Sequence, residues 1–155
     1  MSVVTKIEAK RIINEELLSL RQRIIDNHLR AGQKASGRTI QSLRVEATED
    51  EGILFGRKAF GTLETGRRGG RVPAGFYHII LQWVKDKGIQ VEKPKTFAYF
   101  VARKIAREGT SLYRRGGRED IYSSEIPKTV ESIGKRIMGL LTMEVDNINI
   151  NSKKE

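Results

Sequence analysis

Arg44-Val45-Glu46-Ala47-Thr48-Glu49-Asp50-Glu51-Gly52-Ile53-Leu54-Phe55-Gly56-Arg57 decides the fold of this chain. Two β-compatible runs, Arg44 to Thr48 and Ile53 to Arg57, flank an acidic tetrapeptide that ends in glycine, the pattern of a hairpin. The surrounding sequence is mostly helical in pattern, so this stretch makes the class α+β. Glu49, Asp50 and Glu51 read as a solvated turn. Just downstream, Lys58 to Thr65 is predicted to add a third short strand, with Phe60 and Leu63 as its apolar residues.

Upstream, Thr5 to Ala31 reads as one long helix, with no proline or glycine until Gly32. Its apolar residues fall on two stripes. Ile13, Leu17, Leu20 and Ile24 form the first; Ile7, Leu18, Ile25 and Leu29 form the second, with Lys10, Asn14 and Arg21 in the seam. A surface helix needs only one broad stripe to meet its core. Either the second stripe meets a neighbouring subunit, which makes Leu18, Ile25 and Leu29 candidate interface residues, or one monomer buries both. Gly32 to Ser42 reads as a helix exit with a short helical or turn segment.

Beyond the hairpin, Pro73 marks a helix start and Gly88 a stop, with Phe76, Ile79, Ile80, Trp83 and Val84 at helical spacing between them. Pro94 opens another helix, in which Phe97, Val101 and Ile105 share a face and Gly109 ends the run. Arg103, Lys104 and Arg107 in its last turns complement the helix dipole. Ser123 or Ser124 can cap a final helix with Pro127 in its first turn. Its stripe is Ile126, Val130, Ile133, Ile137 and Leu140 or Leu141. The expected order is a long N-terminal helix, a small antiparallel hairpin, two medium helices and a long C-terminal helix. Residues 1–145 read as a single domain, and 146–155 as a flexible tail.

The chain of 155 residues carries a net charge of +10, which calls for polyanionic company. At 31% charged and 38% hydrophobic residues it has the make-up of a folded domain. Zero cysteines exclude disulfides, thiol catalysis and Cys-ligated zinc. Apolar runs such as Ile79 to Leu81 are too short to span a membrane, and Lys6, Lys10 and Arg11 interrupt any signal-peptide core. Cytosolic synthesis is the simplest fit.

The charge is concentrated in a doubled pattern. Gly61-Thr62-Leu63-Glu64-Thr65-Gly66-Arg67-Arg68-Gly69-Gly70-Arg71 is echoed by Gly109-Thr110-Ser111-Leu112-Tyr113-Arg114-Arg115-Gly116-Gly117-Arg118. Each is a Gly-Thr step, a spacer, then Arg-Arg-Gly-Gly-Arg. Paired glycines predict flexible loops, and arginines on them offer planar, bidentate donors for carboxylate or phosphate. Arg67, Arg68, Arg71, Arg114, Arg115 and Arg118 are therefore the candidate contact residues, for an acidic protein surface or for nucleic-acid backbone.

No catalytic, cofactor-binding or metal-ligating set is expected. His28 and His78 lie on different predicted helices with no triad spacing, and no i, i+4 histidine pair or Asp-x-Asp calcium loop occurs. The loops lack the strand, glycine spacing and Lys-Ser or Lys-Thr of a phosphate-binding loop. A small nuclease would need a carboxylate cluster for its metal, which the sequence does not offer. Sequence-specific DNA reading has no recognition helix to use, nor any aromatic stacking platform.

The middle of the chain resembles a known family. Ala59-Phe60-Gly61-Thr62-Leu63-Glu64-Thr65-Gly66-Arg67-Arg68 leads to Pro73 and then to Ile80-Leu81-Gln82-Trp83-Val84-Lys85-Asp86-Lys87-Gly88. Phe97-Ala98-Tyr99-Phe100-Val101-Ala102-Arg103-Lys104-Ile105 and Gly109-Thr110 follow. Together with Ser36-Gly37-Arg38-Thr39-Ile40-Gln41-Ser42-Leu43, this is similar to the tailed-bacteriophage neck and tail-completion proteins, typified by the minor tail component of the HK97 type. The resemblance covers roughly residues 5 to 140. It implies a non-enzymatic virion protein at the head–tail junction, made in the host cytoplasm and assembled as a homo-oligomeric ring. Its expected partners are other neck, portal or tail proteins and packaged DNA passing through. The doubled arginine loops and the helix pair around Trp83 and Phe97 go beyond the smallest family members. A nucleic-acid-backbone-binding protein is the alternative.

Overall fold

The computed structural model describes residues 1–152, with side chains described through Ile148. Its class is α+β. Helix α1 spans Val3–Arg30. Ser2 caps it, accepting the Thr5 backbone N–H on Oγ at 3.1 Å, which satisfies one of the orphan donors of a helix start. After Gln33 donates back to the His28 carbonyl at 3.3 Å the helix is closed. Among the described residues no helix is long and apolar enough to cross a membrane.

The chain divides into two compact units built from separated segments. The first takes Met1–Asp26, Leu43–Gly56 and the chain from Tyr122; the second takes Asn27–Ser42 and Arg57–Ile121.

In the first unit, Ala9, Ile12, Ile13, Leu17, Leu20, Ile24, Ile25 and Leu43 are buried. Ile25 is therefore not available to a neighbour: at 8% exposed it belongs to the monomer core, while Leu18 at 47% stays open. Strands β1 (Arg44–Ala47) and β2 (Gly52–Phe55) pair antiparallel with Val45 opposite Leu54 and Ala47 opposite Gly52. Thr48 tightens the turn, its N–H donating to the Glu51 carbonyl at 2.7 Å. Helix α7, Glu125–Ser152, carries Pro127 in its first turn as expected. It continues past Met143, where the pattern reads as a tail; no proline or glycine follows Gly139 to break it. The last three residues of that predicted tail lie outside the described residues.

Polar contacts fix α7 antiparallel to α1. Arg23 binds Glu125 (Nε to Oε2, 2.8 Å) and Thr129 Oγ1 (2.7 Å), Arg136 bridges Glu15 and Glu16 at 2.7 and 2.9 Å, and the Ser2 amide meets Glu144 at 2.6 Å. Burial pushes the Glu125 carboxyl up, but hydrogen bonds from Arg23 and Lys128 outweigh it and hold the group below its ordinary value.

In the second unit, helices α4 (Phe76–Lys87) and α5 (Pro94–Glu108) pack as a pair. Ile80 and Val84 meet Ala98 and Ala102, with Phe76, Leu81, Phe97, Val101 and Ile105 around them. The two alanines let the helices close, and each large aliphatic buried here contributes about 2 kcal/mol. Helix α4 starts at Phe76, later than Pro73 suggested. Short helix α2 is Arg38–Gln41. The predicted third strand is not formed: Lys58–Gly61 is a 3-10 turn and Thr62–Thr65 is the single-turn helix α3. Among the described residues the sheet has two strands only, and the helical turn buries Glu64.

Candidate functional site

The doubled loops are paired with each other within the second unit. Arg67 donates its backbone N–H to Thr110 Oγ1 at 3.0 Å, and the Thr110 N–H returns to the Arg67 carbonyl at 2.9 Å. Gly70 donates to the Ala106 carbonyl at 2.7 Å, and Arg118 to the Glu64 carbonyl at 2.8 Å. Thr110 also accepts from Tyr113 N–H at 3.3 Å, capping helix α6, Ser111–Arg114. Gly109-Thr110 is thus a cap that doubles as the clasp between loops.

Two glycines make the approach possible. Gly109 has φ 82°, and a Cβ there would lie 2.6 Å from the Arg67 carbonyl oxygen. Gly66 has φ 68°, and its Cβ would lie 2.5 Å from Tyr113 N. Both positions require a left-handed backbone and room for another main chain, so only glycine fits. Loops expected to be flexible are held by main-chain bonds within one chain.

Beneath them lies Glu64, 3% exposed, on α3. Its Oε1 accepts the Ile121 backbone N–H at 3.0 Å, and the Ile121 carbonyl accepts Asn27 Nδ2 at 3.2 Å. Sequence reading did not single out Glu64 because a lone carboxylate within the predicted strand Lys58 to Thr65 gives no periodic signal; its place between Gly-Thr and Arg-Arg was the available hint.

The six candidate arginines divide sharply. Arg118 grips Asp120 as a fork, Nε to Oδ1 at 2.6 Å and Nη2 to Oδ2 at 2.8 Å. That hydrogen bond holds the Asp120 carboxyl at about 2. Arg114 Nη1 lies 3.3 Å from Glu108, whose carboxyl is held below its ordinary value chiefly by the Arg107 hydrogen bond. Arg67 sits over the Phe76 ring at 5.2 Å and donates Nη2 to the Arg71 carbonyl at 3.1 Å. Its Nε is buried without a hydrogen-bond partner among the described residues. Arg68, Arg71 and Arg115 are exposed and have no ion-pair partner among the described residues. These three can meet a phosphate or carboxylate without first breaking an internal contact.

Leu29, the third interface candidate, is 45% exposed at the end of α1. Next to it His28 is buried, with Nδ1 3.3 Å from Gln33 Oε1; burial lowers its pKa below the ordinary histidine value. His78 is exposed on α4, its ring edge-on to Tyr77. Among the described residues, no three His, Asp or Glu side chains converge as a metal ion would need. No protein-family model, curated protein or solved structure matches this chain.

Proposed function

We propose that this chain is a non-enzymatic structural protein of a bacteriophage virion that forms a ring at the head–tail junction. The observation that carries this reading is the apolar surface left on both long helices. Val3, Val4, Ile7 and Leu18 on α1, with Val130, Met138, Val145 and Ile148 on α7, are each between 47% and 75% exposed. A monomer that never met a partner would keep such surface small. The family resemblance over roughly residues 5 to 140 supplies the setting. The free Arg68, Arg71 and Arg115 suit acidic neighbours or packaged DNA.

Quantitative mass spectrometry of purified particles tests it. About 6 or 12 copies per particle are expected, as a closed ring on a symmetry axis requires; absence of the chain from particles overturns the reading.

The free arginines also favour a second reading, binding of nucleic-acid backbone in its own right. Sub-micromolar affinity that falls steeply with salt, in a protein absent from particles, would put that reading first.

A further inference from the structure

Trp83 is 37% exposed on α4, and Ile79, one turn earlier, is 53% exposed. Cavities open on either side of this tryptophan. One, of about 230 Å³, is lined by Trp83, Ile79 and Leu63 together with the exposed Arg38 and Arg57. The other, of about 330 Å³, is lined by Trp83, Val101, Ile105 and Leu112 with the exposed Lys104 and Arg114. Asp86 also lines the first cavity but accepts a hydrogen bond from Gln82 at 2.8 Å, and Arg114 shares its charge with Glu108. The balance remains cationic around an apolar anchor, the composition of an interface hot spot that accepts apolar side chains accompanied by carboxylates.

The chain carries one segment of that chemistry. Glu49-Asp50-Glu51 is its only run of three acidic residues against a net charge of +10. All three are exposed, and Ile53 beside them is 38% exposed. The turn is already formed: Thr48 Oγ1 donates to Asp50 Oδ1 at 2.8 Å and accepts from Glu51 N–H at 3.0 Å. Glu49 and Glu51 have no ion-pair partner among the described residues. A rigid tip loses little entropy on docking.

We propose that the Trp83 site of one copy receives the acidic hairpin tip of a second copy. Tip and site are different surfaces, so each copy gives one and receives one. Such a heterologous contact propagates head to tail and closes into a ring when the rotation permits. The proposal rests on the ring reading and names its interface.

Sedimentation of the full chain at low salt tests it, up to about 1 mM, where even weak association of ~4 kcal/mol is visible. The wild-type chain is expected to associate beyond a dimer. Glu49→Lys with Glu51→Lys, and separately Arg38→Glu with Arg57→Glu, should each weaken association at least about a hundredfold, because like charges then face each other. Mixing the two variants in equal amounts makes every contact complementary again and should restore the wild-type mass. Trp83→Ala should lose association without being rescued by either variant. Circular dichroism confirms that each variant is folded.

A wild-type chain that stays monomeric throughout the range overturns the proposal, as does either charge variant keeping wild-type mass. Loss with the site variant alone would mean that a different segment of the second copy fills the site, and also overturns it. The ring reading fails separately. A chain present at ring copy number, whose variants assemble normally into particles, sinks the hairpin contact and leaves the ring standing.

Discussion

The two Arg-Arg-Gly-Gly-Arg segments share their letters and differ in what holds their charges. The second is bracketed by carboxylates, Glu108 before Gly109 and Asp120 after Arg118, and these capture Arg114 and Arg118. Only Arg115 is left without an ion pair among the described residues. None of the first segment's arginines has an ion pair among the described residues; Arg67 turns onto Phe76, and Arg68 and Arg71 face solvent. A repeated motif therefore does not mean a repeated role. The second loop ties two of its three cations to neighbouring carboxylates, whereas the first ties none of its three in an ion pair among the described residues.

The comparison is broken most severely at the backbone that joins the loops. Gly109→Ala puts a Cβ 2.6 Å from the Arg67 carbonyl oxygen at φ 82°, so both strain and displacement follow. A loss of about 3 kcal/mol or more is expected in urea unfolding. An unchanged midpoint would mean that the loops do not need each other.

Glu64→Ala comes next. It leaves the buried Ile121 N–H without its acceptor, which costs about 2 kcal/mol in the same measurement. Glu64→Gln keeps an acceptor oxygen in place and should recover part of that loss.

The division of arginines is sharpened by DNA affinity measured against salt. Arg68→Ala, Arg71→Ala and Arg115→Ala should each reduce the slope of log affinity on log salt by about 1 if that group meets phosphate. Arg114→Ala and Arg118→Ala should change it less and lower stability slightly instead. Equal slopes for all five would erase the distinction between loops.

Acid titration gives the smallest effects. Buried His28 resists protonation in the fold, so the unfolded chain binds more protons and stability rises with pH. That contribution is whole above about pH 6.5 and is lost as pH falls through the ordinary histidine value. Replacing His28 with Gln should flatten stability between about pH 7 and 5. Asp120, held at about 2, contributes stability above its ordinary carboxyl value and loses it as pH falls towards 2. In Asp120→Asn that acid limb should be shallower, and an unchanged limb would show the Arg118 fork to be idle.

Helix ends and the hairpin were legible because their causes are local. Gly88 and Gly109 stop α4 and α5, Pro94 starts α5, and the acidic tetrapeptide turns between β1 and β2 within a few residues of the hydrogen bonds it closes. The failures have distant causes. Lys58 to Thr65 has strand-compatible letters, but a strand needs an edge to pair with, and the chain there turns helically around a buried Glu64. Ile25 shares a wheel position with Leu18 and Ile7, yet only Ile25 is covered.

By itself, then, the sequence determined the helical segments, the hairpin, the cationic balance and the presence of two matched arginine segments. Each is a matter of composition or of neighbours a few residues apart. Only the tertiary structure decided that those segments clasp each other through Thr110, that Glu64 lies beneath them, and that Arg68, Arg71 and Arg115 have no ion-pair partner among the described residues. Those outcomes depend on main-chain bonds and ion pairs whose partners lie up to dozens of residues away, and no local pattern encodes which of several equivalent cations will find a carboxylate.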